Sequence, residues 1–202
     1  MGDRLDIGAD IGQRRDYSAY AVVEHTKDEM IVRRIKRLPL GTPFGEVVAR
    51  LVRVVDDLIA RNGSGFPRVW LKIDATAVGA PVAEDLRIAL AGRDVMQTDV
   101  WFTAGTGQEF RPVPMRRLSV PKMTMVANLQ VALEKRKLKM PNTTIARETA
   151  RELADFEIRQ VGDRETADAR TGSHDDLVTA LGLAILGDGR RSIYESRGLM
   201  VV

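Results

Sequence analysis

Leu5-Asp6-Ile7-Gly8-Ala9-Asp10 is an apolar run that ends in an acid, with Gly8 and Gly12 allowing close backbone approach on either side of that acid. A second run of the same form, Val69-Trp70-Leu71-Lys72-Ile73-Asp74, follows about sixty residues later. Both read as strands, the second buried by its continuous apolar character. A third acidic position, Asp175-Asp176, opens the apolar stretch from Leu177 to Leu186, which reads as a helix. Acids at two strand ends and one helix start are able to meet at a common point.

Working outward from the first run, residues 5–11, 18–24 and 30–38 read as three successive strands, joined by a turn over 12–16 and a short link over 25–29. Val47, Val48, Leu51, Val54, Val55, Leu58 and Ile59 then recur at helical spacing within 43–61, before the breaker Asn62-Gly63-Ser64-Gly65. A helix over 81–91 and a strand over 95–102 complete an alternating order, which predicts an α/β fold with a mixed sheet. Residues 103–119, rich in Gly, Pro and Thr, read as a long loop or projecting hairpin. Pro121 opens a helix to about Lys137, Leu138-Lys139-Met140-Pro141 is a short extended piece, and Thr144 is placed to cap a helix over 145–156. A strand over 156–161, a charged solvated turn over 162–171, and Ser173 as cap of the last helix finish the pattern. The expected organisation is one domain, 1–187, with a tail at 188–202 that lacks periodicity.

A chain of 202 residues with 44% hydrophobic content is long enough for one substantial core. It has no Cys, which excludes disulfides, thiolate metal sites and a Cys nucleophile. It has no apolar run of bilayer-spanning length and no signal-peptide segment at Met1-Gly2-Asp3-Arg4, so the expectation is a soluble, intracellular protein with no membrane partner. The net charge is only +3, but a pI near 9.4 and clusters such as Lys135-Arg136-Lys137 favour a polyanion partner.

Clustered Asp side chains suit hard divalent cations, which take oxygen ligands, and a pair of such ions is able to clamp both oxygens of a phosphodiester displacement. Asp10, Asp74 and the 175–176 pair are therefore candidate ligands. Adjacent helix positions point about 100° apart, so only one of Asp175 and Asp176 is able to aim squarely at a metal.

The motifs, in their order, resemble a known family. Asp10-Ile11-Gly12-Gln13-Arg14-Arg15-Asp16-Tyr17-Ser18-Ala19 is similar to the first strand and hairpin of the nuclease domain of viral large terminase subunits, the packaging motors of tailed phages. Ile73-Asp74-Ala75-Thr76-Ala77-Val78-Gly79-Ala80-Pro81-Val82 resembles its second acidic motif. The segment from Val120-Pro121-Lys122 through Leu129, then Leu138-Lys139-Met140-Pro141, Glu152 to Glu157, and Gly172-Ser173-His174-Asp175-Asp176-Leu177 follow in the family's order, so the resemblance spans residues 5 to about 186.

That resemblance implies an RNase H-like fold, a five-stranded mixed sheet flanked by helices, with the acidic site across the first and fourth strands and the last helix. It implies two Mg²⁺ or Mn²⁺ ions, with Asp10 shared between them, Asp74 completing one shell and Asp176 the other. Asp175 is expected as an auxiliary acid, Asp16 as a further metal or outer ligand, and His174 as an auxiliary group. Arg116, Arg117 and Lys122 are the expected DNA-binding cations. The implied substrate is double-stranded DNA, cut with little sequence preference, and the implied partners are an ATPase domain, a small terminase subunit and a portal. The implied location is the host cytoplasm if the protein is viral. No G-x-x-x-x-G-K-[ST] pattern is present, so the chain reads as an excised nuclease domain or a stand-alone relative. Two other readings fit less of the sequence: an actin-like or sugar-kinase-type nucleotide-binding subdomain, suggested by Asp10-Ile11-Gly12, and a catalytically silent DNA-binding module.

Overall fold

The computed structural model describes residues 4–12, 16–62, 69–103, 109–111, 116–154, 156–161, 164–169 and 174–187. At its centre lies β1 (Arg4–Asp10), paired antiparallel with β2 (Ala19–His25) and parallel with β4 (Val69–Asp74). Outward on one side comes β3 (Met30–Arg37), whose start pairs with the two-residue β8 (Leu138–Lys139). On the other side come β5 (Val95–Thr103), β7 (Arg117–Pro121) and β6 (Glu109–Arg111), giving the order β6-β7-β5-β4-β1-β2-β3-β8.

Side chains alternate across a strand, so β1 presents Leu5, Ile7 and Ala9 to one face and Asp6, Gly8 and Asp10 to the other. The first face packs on α1 (Phe44–Asn62) and α2 (Gly79–Ala89): Leu5, Ile7, Leu71 and Ile73 share a core with Val47, Leu51, Val54, Val82 and Leu86. Burying each such side chain contributes roughly 1.5–3 kcal/mol relative to leaving it exposed. The second face holds α5 (Asp176–Ile185), α3 (Lys122–Glu134) and α4 (Thr144–Ala154). All ten residues of α5 are buried, which its apolar circumference permits.

Gly8 fixes how closely α5 approaches. A Cβ at that position would run into the carbonyl oxygen of Ala180 and the amide nitrogen of Ala184. With a bare glycine the helix lies directly on β1, and its N-terminus comes to rest at the strand's C-terminal end.

The expected α/β architecture, a mixed sheet flanked by helices, is present, but the sheet has eight strands rather than five. Part of the excess comes from 103–119: of the two expected forms, β6 and β7 make the hairpin, but it does not project, since its second strand joins β5 in parallel. Leu118 and Val120 are fully buried there, an alternation too short to stand out among Pro and Arg. A separate two-stranded ribbon, β9 (Phe156–Val161) and β10 (Arg164–Ala169), occupies most of the stretch expected as a solvated turn. Its backbone ladder supplies what the charged composition concealed. Thr144 is the first residue of α4 and not its cap; Thr143 Oγ1 accepts from the Ala146 amide at 3.3 Å instead. Ser173 and the tail at 188–202 lie outside the described residues. Among the described residues no helix is long and apolar enough to cross a membrane.

Candidate active site

Parallel pairing of β1 with β4 sets Ala9 opposite Ile73, so Asp10 and Asp74 leave the sheet side by side. Asp74 turns the chain as well as ending the strand: its Oδ1 accepts from the Thr76 amide at 2.8 Å, and Thr76 Oγ1 accepts from the Phe102 amide at 3.0 Å. Gly79 then passes so near the Asp74 carbonyl that a side chain there would collide with it. From the opposite side α5 brings Asp175 at its N-cap position and Asp176 in its first turn. These four acids line one cleft of about 290 Å³, together with Asp16, Tyr17, Lys122, His174 and Thr179.

The charges in this cleft do not balance. Burial pushes the Asp10 carboxyl well above its ordinary range; Asp74, Asp175 and Asp176 push it further, opposed by Lys122. Burial also raises Asp74, against the Thr76 bonds and Lys122. Burial raises Asp176 as well, against its bond to Arg37. Lys122 Nζ donates to Asp175 Oδ2 at 2.7 Å. Among the described residues no three acids or histidines are gathered at the spacing of a closed metal shell. Asp175 is drawn to Lys122 and Asp176 to Arg37, which keeps like-charged carboxylates apart.

The remaining candidates are placed unevenly. Asp16 is exposed at the cleft's margin, and His174, also exposed, meets the Tyr17 ring edge-on at 5.0 Å. Lys122 belongs to the cleft. Arg116 and Arg117 do not line it: Arg116 bonds Thr98 Oγ1 at 3.2 Å and lies over Trp70, while Arg117 is exposed and stacks on Trp101 at 4.5 Å. β7 joins the sheet as a strand, and Arg117 at its start and Arg116 just before it lie outside the cleft.

Two features escaped the sequence. Arg37, at the end of β3, donates through Nε to Asp176 Oδ2 at 2.7 Å and through Nη2 to Glu152 on α4. Glu152 in turn accepts from the Leu177 amide at 3.2 Å, and its carboxyl is pushed up to about 7 by burial and by Asp176, opposed by Arg37. The only signal for this clamp is a charged residue at a strand end, which is too common to read. The second feature is Asp6, fully buried on the same face of β1 as Asp10. Burial raises its carboxyl, but Lys72 at 2.5 Å, Arg4 and His25 outweigh that and hold it below the usual range.

No protein-family model matches the chain. Over 178 residues, 88% of the chain, it is 25% identical to the terminase large subunit of Thermus phage G20c, and it spans about 30% of that protein's length. Its fold superposes on the crystal structure of the large terminase nuclease from thermophilic phage G20c with a TM-score of 0.62 at 22% identity, covering 90% of this chain and 80% of that one. It superposes on a mutant nuclease domain of the large terminase subunit of bacterial virus Sf6, with manganese and beta-thujaplicinol, with a TM-score of 0.67 at 13% identity, covering 92% and 89%. The chain is therefore similar in sequence to phage terminase large subunits and shares the fold of large terminase nuclease domains.

Proposed function

We propose that this chain is the nuclease part of a genome-packaging terminase, a divalent-cation-dependent endonuclease acting on double-stranded DNA. The observation that carries the reading is the convergence of Asp10, Asp74, Asp175 and Asp176 in one cleft, with the Asp10 carboxyl raised by burial and by its neighbours. A donor set made only of carboxylate oxygens, short of positive charge, fits Mg²⁺ or Mn²⁺. Asp10, Asp74 and Asp175 would hold the ions, with Asp176 and Asp16 at the edge of the set. Asp175 takes the place nearer the ions because Asp176 is tied to Arg37 by two bonds, whereas Asp175 makes one bond to Lys122 on the rim of the cleft. A divalent ion bound there supplies acidified water and neutralises charge on the phosphate.

The chain's own residues supply position and charge. Lys122, on the rim beside Asp175, meets a non-bridging phosphate oxygen entering the cleft. Arg37 and Glu152 keep the start of α5, and so Asp175 and Asp176, in register with the ends of β1 and β4. A cleft whose cation, Lys122, is placed for phosphate implies cutting with little sequence preference that weakens steeply with salt. An ATPase domain, a small terminase subunit and a portal are the partners such a domain works with, in the host cytoplasm.

The test is nicking of supercoiled plasmid by the purified chain with Mn²⁺, with Mg²⁺, and with EDTA. Cleavage with either metal, absent in EDTA and absent in Asp10→Asn, is the expected result. Equal cleavage in EDTA, or none under any metal, rejects the reading.

A further inference from the structure

A second concavity, of about 420 Å³, lies between β3 and α1 and is lined by Tyr20, Arg34, Lys36, Arg50, Arg53 and Asp57. It faces away from the acidic cleft. Tyr20 belongs to the core beneath α1, while its neighbour Ala19 belongs to the core beneath α5 and pairs with Asp10. The same alternation separates Lys36, in this concavity, from Arg37, which holds Asp176.

Four cations converge there against one acid. Asp57 reaches Arg34 only at 3.9 Å, and Arg53 turns its Nε to the Ala49 carbonyl at 3.2 Å. Arg50 and Lys36 have no ion pair among the described residues. A flat basic face is relaxed by solvent, but like charges gathered in a hollow raise the local potential, and that potential is relieved by a polyanion. Arginines dominate the set, and their planar fork matches phosphate oxygens. The edge between the two sites is open: β8 pairs with β3 only at Met30 and Ile31, so the half of β3 that carries Lys36 and Arg37 has no strand outside it among the described residues.

We infer that this basic hollow between β3 and α1 is a second contact for the phosphate backbone of duplex DNA, on the side of the sheet opposite the acidic cleft. It rests on the reading of the chain as a DNA-handling domain, but concerns binding and not cutting. The duplex passes the exposed edge of β3, one stretch of backbone at the acids and another at Arg34, Lys36, Arg50 and Arg53.

The experiment measures anisotropy of a labelled duplex of about 20 base pairs titrated with the chain in EDTA, over a range of salt. Arg50→Gln/Arg53→Gln is compared with wild type and with Lys27→Gln/Lys137→Gln, which removes the same charge at the other end of β3. Losing two phosphate contacts should lower the slope of log K against log salt by about 1.8, so that the binding deficit is roughly ten-fold larger at about 50 mM salt than at about 200 mM. The control pair should move both far less, and melting should be unchanged in all three proteins. Equal shifts in the two double variants, no shift in either, or a wild type with no affinity for the duplex would each overturn the inference. Because metal is absent throughout, these outcomes are independent of whether the plasmid is nicked.

Discussion

Arg37 and Asp176 face each other across the seam between β3 and α5, with Arg37 Nε donating to Asp176 Oδ2 at 2.7 Å and Nη2 to Oδ1 at 3.3 Å. The same guanidinium serves Glu152, so one cation holds two carboxylates that would otherwise repel. Removing it should cost more than a surface ion pair. For Arg37→Ala the expected loss is roughly 1.5–3 kcal/mol, the range for hydrogen bonds to charged groups. In a chain of this size that is a fall in melting temperature of about 4–10 °C. Adding Glu152→Gln to Arg37→Ala should recover part of it, since one of the stranded charges is gone. Strict additivity of the two changes in thermal denaturation would count against a shared clamp.

Stability in EDTA should fall as pH rises. Asp10, Asp74 and Asp176 are raised above the ordinary carboxylate range and Glu152 to about 7. For groups raised in the folded state, the stabilising contribution is complete below their unfolded values and disappears as pH climbs through the folded ones. His25, whose buried ring is pushed down, acts in the opposite sense near its own range, one group against four. Melting temperature should therefore decline between about pH 5 and about pH 8, and saturating Mn²⁺ should flatten the decline. A curve that rises across this interval without metal contradicts the charge arrangement.

Asp10→Asn removes one of the repelling charges at a strand end. It should melt at or above the wild-type temperature in EDTA, lose cleavage, and respond weakly to Mn²⁺. For the wild type, metal at about ten times its dissociation constant should add roughly 1.4 kcal/mol. A mutant that melts well below wild type and still shifts fully with Mn²⁺ would show Asp10 to be structural.

The paired acids should separate by phenotype. Asp175→Asn should abolish cleavage with little change in stability. Asp176→Asn should lower stability through the loss of its Arg37 bonds and retain a measurable rate, because groups that act around the metal cost about 10–100-fold. Cleavage kinetics and melting on the same two samples decide it, and the reverse pattern restores the order expected from the sequence.

Gly8→Ala tests the helix seat. Its new methyl meets the backbone of Ala180 and Ala184, so α5 has to move or tilt. Overpacking of this kind costs about 1–3 kcal/mol, occasionally more. Because Asp175 and Asp176 ride on α5, cleavage should fall more than stability alone explains. Wild-type nicking by Gly8→Ala under conditions where it is fully folded would remove the link.

The sequence made the strand-end acids legible because Asp10 and Asp74 interrupt apolar runs, and α5 legible because its run is long and opens on two acids. Other features left weaker traces. Lys72 and Asp6 sit inside strands and pair with each other across a parallel ladder, a relation that no local pattern records. Arg37 and Glu152 meet only through tertiary packing, 115 residues apart. β10 and β7 are strands by partnership: their composition reads as turn or loop, and their ladders become available only once β9 and β5 are in place. Arg117 at the start of β7 and Arg116 just before it owe their positions to the same pairing.

Strand β1 sets two aspartates on one side, with Gly8 between them and a single helix above. Asp6 has its counter-charges supplied by Lys72 and Arg4; Asp10 is surrounded mainly by other acids. Same residue type, same face of one strand, and opposite electrical completeness: the strand contains its own reference measurement. On the proposed function the polypeptide is only part of the chemical species that works. Its isoelectric point, its mobility in an electric field and its proton uptake would then belong to a protein–ion pair, and moving the chain between buffers of different divalent content would change the identity of the solute as well as its surroundings.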